Sequence, residues 1–250
     1  MKIVACIKRV PSTEATPKLS PDGRGIDTAN LAYMTSFYDE IAVEQAVLTK
    51  EASGGEVTVL TLGPAEASKE VRECIAKGAD AGIIMTDPEW GSRDNRSTAK
   101  ILAAKLGALG AELCFMGRVA TDRDSASVGP MVATLLGWSC VTDVVELNLE
   151  DGAGTAQRET EQGLETISFS LPAIITCDKG LNEPRYAGLK GIMAAKKKPL
   201  ENISFEEVPS QATACSLALP PERAAGRIVG EGPDAVPALM EALRNEAKVL

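Results

Sequence analysis

The residues best placed to bind a ligand lie in the stretch from Glu112 to Trp138, which has the pattern of a strand, a turn and a helix. An apolar run, Leu113–Met116, ends at Gly117, and apolar residues return at helical spacing from Val128. Four side chains of the polar loop between them could cap the helix: Asp122, Asp124, Ser125 and Ser127. The free N–H groups and the positive dipole end of such a helix favour a phosphate. The loop matches no dinucleotide or P-loop fingerprint, and many such turns hold nothing, so nucleotide binding needs support from the rest of the chain.

Histidine is absent from the 250 residues, and this limits the chemistry that the chain can perform. Ser-His-Asp and Cys-His catalysis and most zinc and haem sites are excluded, so carboxylates, lysines or a bound cofactor must carry any reaction. The six cysteines show no Cys-x-x-Cys spacing: Cys6, Cys74, Cys114, Cys140, Cys177 and Cys215. Most lie in apolar segments, which favours reduced core residues. We expect no catalytic residue and no metal site, and interpret the chain as the holder of a cofactor.

Charge and hydropathy restrict the partners. The net charge of −9 disfavours nucleic acid or an anionic membrane as the main partner. No apolar run approaches the roughly 20 residues that span a bilayer, and the apolar start Met1–Lys8 is too short for a signal peptide. We therefore expect a cytoplasmic protein, and its 44% of hydrophobic residues suffices for one large domain and an appendage.

Strands and helices alternate along residues 1 to 138. The predicted strands are Lys2–Lys8, Val57–Leu62, Ile83–Thr86 and Leu113–Met116. The predicted helices are Asp39–Lys50, one that begins at Pro64 and stops at Gly78, Asp94–Leu106 and the helix from Val128. Arg9–Tyr33, rich in Pro, Gly and Asp, is expected to run over the surface with little regular structure. The alternation predicts an α/β fold with a doubly wound, mostly parallel sheet, in which the turns after the four strands open on one edge and converge on a small molecule.

After Trp138 the pattern changes to period two. The runs Val141–Leu149 and Thr155–Leu171 alternate, with turns at Asp151–Gly152 and Gln162–Gly163, and predict antiparallel strands added to the sheet. Pro172–Cys177 is typical of a buried strand that returns to the core.

Several long motifs then resemble one family. They are Val4–Arg9, Tyr38–Glu44, Leu62–Pro64, Gly78–Asp80, Arg158–Glu165, Leu171–Thr176, Gly180–Met193 and Ala194–Lys198. In this order they closely resemble the beta subunit of electron transfer flavoprotein over roughly residues 1 to 205, and motifs of this length and order rarely occur by chance. The implied fold is similar to the adenine nucleotide alpha-hydrolases, with residues 1–205 as the nucleotide-binding domain.

The resemblance implies partners and cofactors. Members of the family pair with an alpha subunit whose redox-active FAD the beta subunit helps to enclose, and they hold a second nucleotide, AMP in the housekeeping branch and FAD in the electron-bifurcating branch. Electrons would come from dehydrogenases such as acyl-CoA dehydrogenases and pass to a quinone oxidoreductase. Carried over by position, the nucleotide would contact Ala5, Ser36, Phe37, Tyr38, Asp39, Leu62, Val119, Ala120, Asp122, Arg123, Asp124, Ser125, Ser127, Val128 and Gly129.

A docking segment and a C-terminal arm follow from the same resemblance. Leu181–Met193 is similar to the loop that docks on dehydrogenases, with Leu189 at the position of the anchoring leucine. The alternative is that Leu189 packs on its own helix. Lys196–Lys198 would be a solvated end or would steer acidic partners. Residues 206–250, with a predicted helix over Ala235–Lys248, would form an arm that contacts the alpha subunit, the alternative being a linker with a self-packed helix.

Departures from the family pattern leave the second nucleotide open. Ser36 stands where many members have Asn, Thr13 where some have an aromatic residue, and Arg123 where the bifurcating branch usually has Gly. A long arginine crowds the space of a flavin but can pair with a phosphate, which favours AMP. Val128–Pro130 and Glu246–Leu250 are closer to the bifurcating members, whose complexes use NADH and ferredoxin, or to the nitrogen-fixation-associated members. A stand-alone protein that binds an adenine nucleotide and transports no electrons is the alternative from another class.

Overall fold

The computed structural model describes residues 1 to 223 and 225 to 250, which form two compact units, Met1–Leu217 and Ala218–Leu250. In the described residues the strands are β1 (Lys2–Cys6), β2 (Arg9–Pro11), β3 (Tyr33–Thr35), β4 (Glu56–Gly63), β5 (Ala81–Thr86), β6 (Leu113–Gly117), β7 (Ser139–Glu150), β8 (Ala153–Thr160), β9 (Gly163–Ser170), β10 (Ala173–Cys177) and β11 (Leu200–Ile203). The helices are α1 (Phe37–Ser53), α2 (Ser68–Lys77), α3 (Asn95–Leu109), α4 (Val128–Leu136), α5 (Leu189–Ala195) and α6 (Val236–Glu241).

The first unit is organised around one large sheet. Its strand order is β11-β5-β4-β1-β6-β10-β7-β8-β9. The strands from β11 to β7 run parallel, and β8 and β9 continue as an antiparallel meander. Ala5 of β1 pairs with Val59 on one side and Phe115 on the other, which sets the register at the centre of the sheet. The predicted α/β class, the mostly parallel sheet and the added antiparallel strands are confirmed.

Helices cover both faces of the sheet because successive side chains of a strand point to opposite faces. Ile3 and Ala5 of β1 pack with one face of the core, which α1 and α2 cover, with Ile41, Ala42, Val43, Ala46, Val71, Cys74 and Ile75. Val4 and Cys6 pack with the other, which α3 and α4 cover, with Ala99, Ile101, Leu102, Leu106, Val132 and Ala133. The sheet is therefore doubly wound, with its central strands buried on both sides.

Local sequence signals determine where the helices begin and end. The Asp94 carboxylate accepts the N–H of Ser97 at 2.6 Å and caps α3. The prediction that Pro64 occupies the first position of α2 is wrong. Pro64 precedes a short 3₁₀ turn, Ala65–Ala67, from which α2 continues. Gly78 ends α2 at φ 140, a conformation that only glycine adopts without strain.

The expectation of an irregular segment over Arg9–Tyr33 is wrong at its ends. β2 and β3 pair as a two-stranded antiparallel ribbon, with Val10 opposite Met34. The ring of Tyr33 lies 4.5 Å below the guanidinium of Arg9, and that guanidinium pairs with the buried Glu70 at 2.8 Å. Three-residue strands spaced this far apart leave no period that a sequence pattern can reveal.

The C-terminal part of the chain differs from the predicted division at residue 205. β11 pairs in parallel with β5, and the segment after it, up to Leu217, belongs to the first unit. In this segment Phe205 and Val208 pack on the α3 face of the core. In the second unit, a 3₁₀ turn at Pro233–Ala235, α6 and a π-helical turn at Ala242–Ala247 occupy the predicted helix. No helix among residues 1–223 and 225–250 is long and apolar enough to cross a membrane.

Candidate functional site

A cleft opens at the carboxyl edge of the parallel strands, where the four predicted turns meet. The space between its walls, including the part that is open to solvent, is about 860 Å³. The ends of β1, β4 and β6, the turns that follow β1, β5 and β6, and residues of α1, α3 and α4 line it. The lining residues are Cys6, Ile7, Lys8, Asp39, Leu62, Trp90, Arg93, Asn95, Thr98, Leu102, Met116, Gly117, Arg118, Val119, Ala120, Arg123, Ser125, Ala126, Ser127, Val128 and Gly129. Such an edge is where open α/β sheets bind ligands.

The loop between β6 and α4 has the backbone of an anion-binding concavity. Asp124 and Ala126 both adopt positive φ, 49° and 48°, which non-glycine residues rarely do outside functional sites. The backbone N–H groups of residues 125 to 129 donate to no acceptor within the described residues, and Pro130 has no N–H. Successive free N–H groups at a helix N-terminus attract negative charge. The cleft thus has one wall suited to a phosphate.

Side chains from neighbouring loops hold this loop in place. Lys8 Nζ pairs with the carboxylate of Asp122 at 2.6 Å, and burial lowers the pKa of Lys8 although the pair opposes that shift. Arg123 donates to the carbonyl of Arg93 at 2.8 Å and to that of Gly91, so it bridges two of the turns. These contacts stabilise the strained backbone.

Two further polar contacts fix the ends of the loop. The buried hydroxyl of Ser36 accepts the N–H of Thr121 at 3.3 Å. At the other end, Asn95 donates to the Ser127 hydroxyl at 2.9 Å. The loop is therefore held at both ends by side chains from α3 and from the residue before α1.

Asp39 joins the ends of two central strands beneath the cleft. Its carboxylate accepts the N–H of Lys8 at 2.8 Å and the N–H of Gly117 at 2.9 Å. Burial raises the pKa of Asp39 to about 7, although the two backbone hydrogen bonds oppose the shift. A Cβ on Gly117 would lie 2.5 Å from Asp39 Oδ1, so only glycine fits at this close approach.

The structure brings nine of the predicted site residues to the wall of the cleft: Asp39, Leu62, Val119, Ala120, Arg123, Ser125, Ser127, Val128 and Gly129. The other six lie off the wall: Ala5, Ser36, Phe37, Tyr38, Asp122 and Asp124.

Each of the six has its own surroundings. Ala5 is fully buried in β1, Ser36 accepts a hydrogen bond from the loop, and Asp122 pairs with Lys8. Tyr38 packs edge-on against the exposed Phe37 and below Arg118, and Asp124 is exposed.

The predicted side-chain caps of α4 are wrong. Ser127 occupies the N-cap position, but no side chain in the part of the chain that the structure describes accepts a capping hydrogen bond there. The Ser127 hydroxyl is engaged by Asn95 instead, which leaves the backbone donors free for a ligand.

No residue of the turn after β5 or of α3 was among the predicted site residues. Trp90, Arg93, Asn95 and Leu102 all line the cleft. The turn was expected to open on this edge, and an aromatic residue three positions before an arginine, Trp90 and Arg93, could have been the signal. Leu102 lines the cleft from α3, a position that no local residue pattern reports.

A second exposed feature is an apolar segment around α5. Tyr186 is 98% exposed and Leu189 is 75% exposed, so the alternative that Leu189 packs on its own helix does not hold. Lys196 and Lys197 are exposed, whereas Lys198 donates to the carbonyl of Ala79 at 2.6 Å and is no solvated end.

Known proteins match this chain over its whole length. The family model of the electron transfer flavoprotein domain matches residues 26–208. The chain is 38% identical to the electron transfer flavoprotein subunit beta of Bradyrhizobium diazoefficiens and 33% identical to that of Bacillus subtilis, covering 100% of both chains in each case. It is 35% identical to the caffeyl-CoA reductase-Etf complex subunit CarD of Acetobacterium woodii, over 87% of this chain and 83% of the relative. The chain therefore belongs to the electron transfer flavoprotein beta-subunit family.

Proposed function

We propose that this chain is the beta subunit of a heterodimeric electron transfer flavoprotein and that its cleft holds the phosphate and adenosine of AMP. The observation that carries the proposal is the run of free N–H groups from residue 125 to residue 129 beside a cleft built by four strand ends. The dipole of α4 and the donors of the loop suit a phosphate, and residues 1–223 and 225–250 supply no acceptor for these donors.

The rest of the cleft fits a nucleoside. Leu62, Leu102 and Met116 provide an apolar wall for a base, and Trp90 adds an aromatic ring. Lys8 and Arg118 bring positive charge, although each is already paired with a carboxylate, Lys8 with Asp122 and Arg118 with Asp178. We therefore assign the phosphate contacts mainly to the backbone of residues 125 to 129.

The position of Arg123 supports AMP over a second FAD. Its guanidinium spans from the loop after β6 to the carbonyls of Gly91 and Arg93 in the turn after β5, and so crosses one end of the cleft. A ligand that continues beyond the adenosine phosphate would meet this side chain. The alternative, a second FAD, gains support from relatives whose names place them in reductase complexes, CarD and the acryloyl-CoA reductase electron transfer subunit gamma of Anaerotignum propionicum.

The partner subunit would complete the function. A redox-active FAD, held mainly by the alpha subunit, supplies the electron-carrying chemistry when it is bound, and this chain contributes to its enclosure. We further propose that the exposed Leu189 docks on dehydrogenases such as acyl-CoA dehydrogenases, and that the heterodimer passes electrons to a quinone oxidoreductase. Residues 206–250 would supply an arm for the alpha subunit. In the second unit Ile228, Leu239 and Leu250 are among the exposed apolar side chains that such a contact would bury.

Nucleotide counting tests the proposal directly. The chain is co-expressed with an alpha-type subunit from the same genome, the complex is purified, and its nucleotides are extracted and separated. One AMP and one FAD per heterodimer is the expected result. Two FAD without AMP would establish the alternative, and a stable monomer that carries no nucleotide and binds no alpha subunit would overturn both.

A variant tests the role given to Arg123. Arg123→Gly heterodimers, refolded or purified with excess FAD, should take up more than one FAD, whereas the wild type should not. Glu165→Gln, a change in an exposed ion pair of β9, serves as the control and should keep the wild-type nucleotide content. If Arg123→Gly retains one AMP and one FAD under the same conditions, the side chain does not select the ligand.

A further inference from the structure

The segment that presents Leu189 is attached to the body of the protein at both of its ends. It runs from Asp178, after β10, to Pro199, before β11, and contains α5. Tyr186 and Leu189 near its middle are exposed, and the backbone N–H groups of residues 186 to 188 make no hydrogen bond to the body within the described residues. The contacts that fix this segment are therefore made by residues before Tyr186 and after Leu189.

Arg185 is the main attachment before the exposed residues. Its Nε donates to both carboxylate oxygens of Glu44 at 3.0 Å, and its two terminal nitrogens donate to Glu51 at 2.7 and 2.9 Å. Its backbone N–H donates to Glu44 as well, at 3.1 Å. Glu44 and Glu51 lie two turns apart on α1, so one guanidinium is held at two points of a rigid helix.

The burial of the two carboxylates differs, and this separates their roles. Only 5% of the Glu44 side chain is exposed, whereas Glu51 is 50% exposed. Asn182 adds a third contact with α1, since its amide nitrogen donates to the carbonyl of Ile41 at 3.1 Å. The hydrogen bonds of Glu51 and Glu44 raise the pKa of Arg185, and the same contact lowers the pKa of Glu51, so the pair stays ionised under ordinary conditions.

Contacts with α2 fix the other end. A Cβ on Gly191 would lie 2.2 Å from the carbonyl oxygen of Ala76, so α5 approaches α2 to a distance that only glycine allows. Arg72 of α2 donates to the carbonyl of Lys198 at 2.7 Å. The span between Arg185 and Gly191 is thus short, and Leu189 lies inside it.

From this arrangement we infer that Arg185, bound to Glu44 and Glu51, is a positioning residue that fixes the exposed Leu189 segment for docking on a dehydrogenase. This inference rests on the proposed function, in which Leu189 enters an apolar pocket of that partner. A segment already ordered in the free protein loses little conformational entropy on docking, so the attachment lowers the concentration of partner needed. If the attachment is broken, docking must order about one more residue, at a cost of roughly 1 to 2 kcal/mol. This cost corresponds to about a fivefold to thirtyfold weaker complex.

The experiment uses purified heterodimer as the electron acceptor of an acyl-CoA dehydrogenase that is reduced by its acyl-CoA substrate. Arg185→Gln should raise KM for the heterodimer about fivefold to thirtyfold and leave kcat within about twofold. Arg185→Lys, which can pair with one carboxylate only, should lie between Arg185→Gln and the wild type. Hydrogen exchange of residues 183 to 193 should be faster in Arg185→Gln than in the wild type.

Arg185→Gln leaves the buried carboxylate of Glu44 without its arginine and could therefore impair folding. Glu51→Gln is a second variant that keeps the pair between Arg185 and Glu44. It removes only the exposed half of the attachment and should raise KM about twofold to fivefold. Glu165→Gln is a matched control, since Glu165 is also 50% exposed and pairs at 2.8 Å with Arg158, an arginine that is 34% exposed like Arg185. It should leave KM unchanged.

The outcomes separate this inference from the proposed function. An unchanged KM in Arg185→Gln and Glu51→Gln, or an equal rise in Glu165→Gln, overturns the positioning role. Nucleotide and FAD content and direct reduction by dithionite are measured on the same samples and should match the wild type. A wild-type heterodimer that lacks nucleotide, or that the reduced dehydrogenase does not reduce, overturns the proposed function instead.

Discussion

The buried ion pair between Arg93 and Asp87 should dominate the stability of the cleft. Arg93 Nε lies 2.5 Å from Asp87 Oδ2 and Nη2 lies 3.1 Å from Oδ1, a two-pronged contact between side chains that are 2% and 1% exposed. The remaining donors of the guanidinium bind the Val208 carbonyl at 2.6 Å and Glu207 at 3.1 Å. One side chain therefore joins the turn after β5 to the segment that follows β11.

The expected cost follows from the charge that each substitution leaves behind. Arg93→Met leaves the buried carboxylate of Asp87 without its arginine and should lower the free energy of unfolding by about 3 to 5 kcal/mol. Asp87→Asn should cost about 2 kcal/mol, because Arg93 keeps two of its partners. The double variant leaves neither charge buried without a partner. Its loss of unfolding free energy should therefore be about 2 kcal/mol smaller than the sum of the losses in the two single variants. For a unit of this size, Arg93→Met should lower Tm by roughly 6 to 20 °C.

Chemical denaturation of the four proteins in this cycle, at fixed subunit and nucleotide concentrations, measures the coupling energy. Arg158→Met, which removes an exposed pair, should change the free energy of unfolding by less than about 1 kcal/mol. Limited proteolysis should cut residues 205 to 212 faster in Arg93→Met. Additive costs for the two single variants, within about 0.5 kcal/mol, would refute the reasoning.

Three further changes test single contacts. Because burial raises the pKa of Asp39 to about 7 from 3.8, the free energy of unfolding should fall as pH rises from about 4 to about 7, and denaturation of Asp39→Asn over the same range should lack this slope. Gly117→Ala would place a Cβ 2.5 Å from Asp39 Oδ1 and should cost about 1 to 3 kcal/mol in the same assay, whereas Gly188→Ala, with open space around it, should cost little. Asp94→Ala removes the cap of α3 together with the acceptor of the Gln211 and Ala212 N–H groups, and should cost at least about 1 to 2 kcal/mol, with faster hydrogen exchange at Ser97; unchanged exchange there would contradict the role of the cap.

Residue patterns predicted the central sheet well because its strands are buried on both faces. β1, β4, β5 and β6 are apolar runs separated by glycine and proline signals, and the strand-to-helix order then leaves few topologies. The meeting of four turns at one edge follows from that order alone. β10 was recognisable as an apolar run after Pro172, and all five of its residues are buried.

What the sequence did not reveal depends on contacts between distant residues. The free N–H groups of residues 125 to 129 result from positive φ at Asp124 and Ala126, which side chains from three other elements maintain. The caps predicted for α4 failed for the same reason, since Asn95 lies 32 residues away from the Ser127 hydroxyl that it engages. The attachment of residues 206 to 217 also depends on Arg93, whose partners in Glu207 and Val208 no local pattern reports.

The position of β10 between β6 and β7 has a consequence for synthesis on the ribosome. β10 pairs in parallel with both neighbours, yet it follows β7, β8 and β9 in the chain. A nascent polypeptide that ends before residue 173 has two partial sheets with unpaired edges and nothing to join them. The centre of the protein can close only after Cys177 has left the exit tunnel, so until then the edges of β6 and β7 stay open to pairing with other chains.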